Sequence, residues 1–83
     1  PNPATGDAMN VSCDLCEFST VTIAIYNVAA EKIASYDFSG ANGTNIYSLN
    51  ITGFSHGVYF FIIQSSGPSG NRKSNIEKFA IVR

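Results

Sequence analysis

Charge is scarce in this chain. Only 13% of its 83 residues are Asp, Glu, Lys or Arg, while 45% are hydrophobic. That balance is too apolar for a disordered segment and poor in charge for a free cytosolic protein, and it suits a module attached to something larger or exported. Long hydrophobic runs are also missing. The longest, Val58 to Ile63, has the length of a strand, far below the roughly 18 to 20 apolar residues of a membrane-spanning helix, so no transmembrane segment is expected. No stretch of ten or more residues carries apolar residues at helical spacing, which excludes a helical fold. There is no starting Met and no basic-then-apolar leader, and the chain reads as an excerpt from a longer precursor.

Groups that do chemistry are few. His56 is the one histidine, and Cys13-Asp14-Leu15-Cys16 holds both cysteines. Structural zinc needs four ligands, and a CxxC with one distant His does not supply them. A redox CxxC belongs at a helix start after a parallel strand, a context absent here. The pair reads either as a tight local disulfide, worth about 2 kcal/mol by chain entropy, or as two free thiols with Cys13 buried as a small hydrophobe. No nucleophile elbow such as G-x-S-x-G is present, so no catalysis is expected. No cofactor or metal is expected either. Basic residues form no dense stripe, which argues against nucleic acid as a partner. Three short matches to the N-glycosylation sequon, at Asn10, Asn42 and Asn50, carry weight only in a host with that pathway.

What the chain does contain is strand signal, repeated at short intervals between turn residues. Eighty-three residues fit one domain with a thin core, because about two thirds of the unfolded surface can be buried at this size. Met9, Val11 and Cys13 share one face of a first strand over residues 8–13. Val21, Ile23 and Ile25 do so in residues 20–27, a β-branched alternation of period two. A third strand over residues 32–38 is weaker, since Ser35 and Asp37 fall on the face of Ile33. Tyr47, Leu49 and Ile51 share a face in residues 45–51. Residues 58–64 are apolar on both faces, which marks a central strand covered twice or one whose outer face meets a neighbour. Residues 65–74, with Gly67, Pro68 and Gly70, read as a flexible loop, and residues 75–82 close the fold with Phe79 and Ile81 inward. Six strands, or seven if Pro1 to Thr5 pairs at an edge, predict an all-β, Ig-like antiparallel sandwich with Greek-key character, a single domain over residues 1–83 entered through residues 1–7. The tyrosines Tyr26, Tyr36, Tyr47 and Tyr59 would make a sugar-stacking platform if they lay on one face, and otherwise serve as ordinary sheet residues.

Charge is unevenly spread. In residues 1–56, Lys32 stands against Asp7, Asp14, Glu17, Glu31 and Asp37, a net −4. In residues 57–83, Arg72, Lys73, Lys78 and Arg83 stand against Glu77, a net +3.

The ordered set Pro1-Asn2-Pro3-Ala4, Val21-x-Ile23-x-Ile25-Tyr26-Asn27-Val28, Leu49-x-Ile51-x-Gly53-Phe54-x-x-Gly57-Val58-Tyr59-Phe60 and Lys78-Phe79-x-Ile81-Val82 resembles the type A C-terminal sorting domain of the type IX secretion system over essentially the whole chain. The resemblance implies an Ig-like sandwich at the end of secreted cargo in Bacteroidota. Its implied partners are the outer-membrane secretion machinery, a sortase-like protease that removes the domain, and an N-terminally fused cargo. The implied localisation is secreted or cell-surface, by way of the periplasm. By position, the domain-boundary motif falls on Pro1, Asn2 and Pro3. The recognition and sorting residues fall on Gly57, Tyr59, Lys78, Phe79, Ile81 and Arg83, with Lys78 and Arg83 presenting charge to a receptor. The alternative is a non-catalytic Ig-like or FlgD-like spacer, or a carbohydrate-binding module. Members of the family often carry Gly where this chain has Ala30, which argues against a left-handed turn at that point.

Overall fold

The computed structural model describes residues 6–74 and 76–83, and within them the chain is all-β. Seven strands follow one another: β1 (Ala8–Leu15), β2 (Ser19–Tyr26), β3 (Lys32–Gly40), β4 (Gly43–Asn50), β5 (Gly57–Gly67), β6 (Gly70–Lys73) and β7 (Glu77–Ile81). Two antiparallel sheets result. The smaller pairs β1 with β4; the larger runs β3, β2, β5, with β6 and β7 side by side along the far edge of β5. β1 and β4 are neighbours although the hairpin β2–β3 separates them in sequence, and this crossing between sheets gives the sandwich its Greek-key character.

The alternation read from the sequence sets which face is inside. Val21, Ile23 and Ile25 are fully buried, and they face Leu49, Ile51, Met9, Val11 and Tyr47 of the small sheet together with Phe79 and Ile81 of β7. Each such side chain contributes about 1.5 to 3 kcal/mol relative to exposure, so this one cluster holds the sheets together. The faces expected for β1, β2, β4 and β7 are those observed. In β3, Ile33 does lie outward with Ser35 and Asp37, 43% exposed, while Ala34, Tyr36 and Phe38 lie against the core.

Two expectations are corrected. Residues 65–74 do not form a loop: β5 runs on to Gly67, turns over Pro68 and Ser69, and returns as β6 with Gly67 opposite Gly70. Every residue of β6 is exposed, so this hairpin has no apolar periodicity by which it could be read. The Glu17 carboxylate pins its turn from across the sandwich, accepting from the Ser69 amide at 2.8 Å and the Ser69 hydroxyl at 2.6 Å. Those bonds, and secondarily the nearby Arg72 charge, hold the Glu17 carboxyl below its usual range.

The second correction concerns Ala30, which adopts the left-handed conformation with φ 63°. Asn27 forces it. Its side-chain oxygen accepts from the amides of Ala29 and Glu31, and its own backbone pairs with Glu31 and Ala30. This closed turn outweighs the cost of about 1 to 2 kcal/mol that a Cβ meets at such a φ. The seventh strand is thus β6, and a pairing of Pro1 to Thr5 lies outside the described residues.

Candidate recognition surfaces

Tyr59 and Phe79 face each other directly across β5 and β7. Their rings stack at 5.7 Å, and Phe54 and Phe61 extend the aromatic group on either side. Both residues are buried, as is Ile81 opposite Gly57. The Tyr59 hydroxyl is satisfied by donating to the Ser55 carbonyl at 2.8 Å, a local bond that fixes the turn leading into β5. Gly57 opens that strand at φ 156°, at the border of glycine's own region. Tyr59, Phe79 and Ile81 therefore act by building the last strand, and none of the three offers its side chain to a receptor.

Arg83 also differs from expectation. Its guanidinium does not stand out toward a receptor. Nε donates to the Phe54 carbonyl at 2.6 Å, Nη2 to the Ile51 carbonyl at 2.7 Å and Nη1 to the Gly6 carbonyl at 3.3 Å, with the Asp7 carboxylate at 3.7 Å. The planar fork of Arg fits several acceptors at once, and the turn after β4 presents carbonyls that no strand partner uses. Lys78 is exposed beside Phe60 on the outer face of the large sheet. Pro1, Asn2 and Pro3 lie outside the described residues.

That outer face is apolar along its middle. Tyr26 sits opposite Phe60, Ala24 opposite Ile62 and Val58 opposite Ala80. Val58 and Val82 are 37% and 41% exposed. Among the described residues no second layer covers this face of β5, so the strand is not the doubly covered one that its sequence allowed. The tyrosines form no platform: Tyr36, Tyr47 and Tyr59 turn to the interior, and only Tyr26 lies outside. Burial pushes the Tyr36 and Tyr47 phenols above their usual pKa, with the neighbouring Cys13 adding to the effect on Tyr47.

The other face of the sandwich is incompletely closed. Between β1 and the β6–β7 edge lies an open cleft of about 690 Å³ floored by Phe61, Ile63 and Phe79. Cys13 lines it, half-buried, its thiol raised by burial and then by the Asp14 charge, while Cys16 is exposed beyond the strand. Both thiols are free, the second of the two states the sequence allowed. Among the described residues no three His, Cys, Asp or Glu side chains converge as metal ligands, and no helix is long and apolar enough to cross a membrane.

A family model described as the secretion system C-terminal sorting domain matches residues 1–77. The chain belongs to that family. No curated protein and no solved structure matches it. As a sorting domain of the type IX system it has the secretion machinery as partner and a cargo on its N-terminal side, and it directs secretion through the outer membrane. The matched span includes Pro1, Asn2, Pro3, Gly57 and Tyr59 and ends before Lys78, Phe79, Ile81 and Arg83. Sequence reasoning missed the cleft and the Arg83 contacts, which depend on strands far apart in sequence.

Proposed function

We propose that this sorting domain is a non-catalytic export address read in its folded state, then removed by a sortase-like protease so that the cargo remains at the cell surface. Family membership over residues 1–77 is the observation that carries this reading. The geometry supports reading in the folded state, because the residues that mark the family's Gly-x-Tyr and terminal motifs are spent on the Tyr59–Phe79 stack and the buried Ile81. Unfolding would dissolve the very arrangement they build.

The test fuses the domain to a fluorescent reporter directed to the periplasm, in a type IX-competent host and in a translocon-deficient strain. Delivery to the surface or medium in the competent host alone is expected, with a shortened reporter if removal occurs. Retention in both hosts, with the domain folded, would point to a spacer and overturn the proposal. An exported reporter that keeps the whole domain would leave the address and sink its removal.

A further inference from the structure

Arg83 bonds the peptide unit through which the chain enters the domain. Gly6 and Asp7 precede β1, on the side of the chain that leads to the cargo. Ile51 anchors them. Its side chain is fully buried, and its amide donates to the Asp7 carbonyl at 2.9 Å, carrying the β1–β4 ladder one bond past the Ala8–Asn50 pair. The Ile51 carbonyl has two lone pairs to offer. One takes the Phe54 amide at 3.1 Å, which closes the turn after β4, and the other takes Arg83 Nη2 at 2.7 Å. From that seat Nη1 donates to the Gly6 carbonyl at 3.3 Å and lies 3.7 Å from the Asp7 carboxylate. The entering chain and the residue two positions beyond β7 are therefore held by the same residue of the turn.

Hydrogen bonds, not packing, hold this segment. A side chain at Gly6 would meet open space, both Gly6 and Asp7 are exposed, and an ion pair with a carboxylate as open as that of Asp7 adds little. Exposed backbone is where proteases cut, and to cut they must aim their own donors at the scissile carbonyl. Here the carbonyl of the Gly6–Asp7 bond already accepts from Arg83. We propose that Arg83 is a latch on the cargo junction: while it is seated on Ile51 and Phe54 the Gly6–Asp7 bond is shielded from cleavage, and drawing Arg83 away exposes that bond without unfolding the sandwich. A protease that removes the domain would then find the junction open only after Arg83 had been taken up elsewhere. That use of the latch rests on the sorting reading above; the latch itself does not.

An endoprotease that cuts on the amino side of aspartate tests this on the whole cargo fusion, without secretion machinery. Its target at the junction is Asp7, and its targets inside strands are Asp14 in β1 and Asp37 in β3. Wild type, Arg83→Ala and Gly40→Ala are digested under native conditions and the fragments identified by mass. Gly40→Ala is the control for lost stability, since a Cβ there presses on Leu15, at the other end of β1 from Asp7.

Arg83→Ala should release the fragment that starts at Asp7 about tenfold faster than wild type, with residues 7–83 otherwise intact, and Gly40→Ala should not. Cleavage at Asp7 no faster than in wild type overturns the proposal. A rise shared equally by Asp7, Asp14 and Asp37, or matched by Gly40→Ala, also overturns it, because either shows lost stability alone. Should Arg83→Ala fail to fold, Arg83→Lys decides, since it keeps the charge and loses the fork; unchanged cleavage at Asp7 then sinks the latch. Export enters none of these outcomes, so the latch and the sorting reading fail separately.

Discussion

The Arg83 guanidinium donates to the Phe54 carbonyl at 2.6 Å and to the Ile51 carbonyl at 2.7 Å, binding the residue that follows β7 to the turn that follows β4. A third bond to Gly6 reaches the chain where it enters the domain. The start and the end of the described chain are thereby held at one pole of the sandwich.

Arg83→Ala should lower stability by about 1 to 2 kcal/mol, the scale of hydrogen bonds made by a charged donor that is partly exposed. Arg83→Lys should recover little of it, because a single ammonium cannot span carbonyls that Nε and Nη2 meet separately. Urea denaturation of the three chains measures both. Equal stability of Arg83→Ala and wild type would show the contacts to be idle.

Ala30→Gly should stabilise the fold, by roughly 0.5 to 1 kcal/mol once glycine's greater unfolded freedom is set against relief at φ 63°. Few core-distant substitutions are expected to gain anything, so a rise in thermal midpoint is a sharp readout. A fall would mean that the Asn27 turn tolerates the Cβ without strain.

Gly40→Ala should cost about 1 to 3 kcal/mol, the range for overpacking a filled site. Gly40 is buried at the end of β3, where a Cβ would overlap the Leu15 Cδ1 and the Tyr47 hydroxyl. That hydroxyl donates to the Ser39 carbonyl at 3.2 Å and cannot swing away without losing its partner. Denaturant midpoint and the Tyr47 ring environment by NMR should shift together.

Acid should weaken the link between Glu17 and the β5–β6 turn. The Glu17 carboxyl titrates below its usual range because Ser69 hydrogen-bonds its ionised form. Its contribution is complete above the unfolded glutamate pKa and is lost as pH falls through the lower folded value. Stability measured from about pH 6 down to about pH 2 should fall less steeply in Glu17→Gln than in wild type, and parallel curves would remove Glu17 from the account.

What the sequence made legible follows from how local the signal is. Val21, Ile23 and Ile25 announce β2 because burial on one face of a sheet imposes period two, and Phe79 and Ile81 do the same for β7. β6 gives no such signal, since Gly70 to Lys73 overhang the core and depend on Glu17, more than fifty positions away in sequence, to fix their turn. Ala30 misleads because its conformation is imposed by the side chain of Asn27 rather than by its own preference. The charge on Arg83 was legible, but its destination depends on carbonyls of a turn some thirty residues earlier. The cleft is the least legible of all, since it lies between β1 and the β6–β7 edge, elements from opposite ends of the chain.

Entry and exit at a single pole also decide how the domain responds to being pulled. With a cargo dragging on Gly6–Asp7 and a transporter holding the chain beyond β7, tension crosses the strand ends at that pole instead of running along their length. The load falls first on the Arg83 contacts, then on the Ile81–Gly57 end of the β7–β5 pairing, so bonds give way in succession, as in a zipper, and never share the strain. The Ile, Leu and Phe core, which packs face to face, does little to oppose a load applied in that direction.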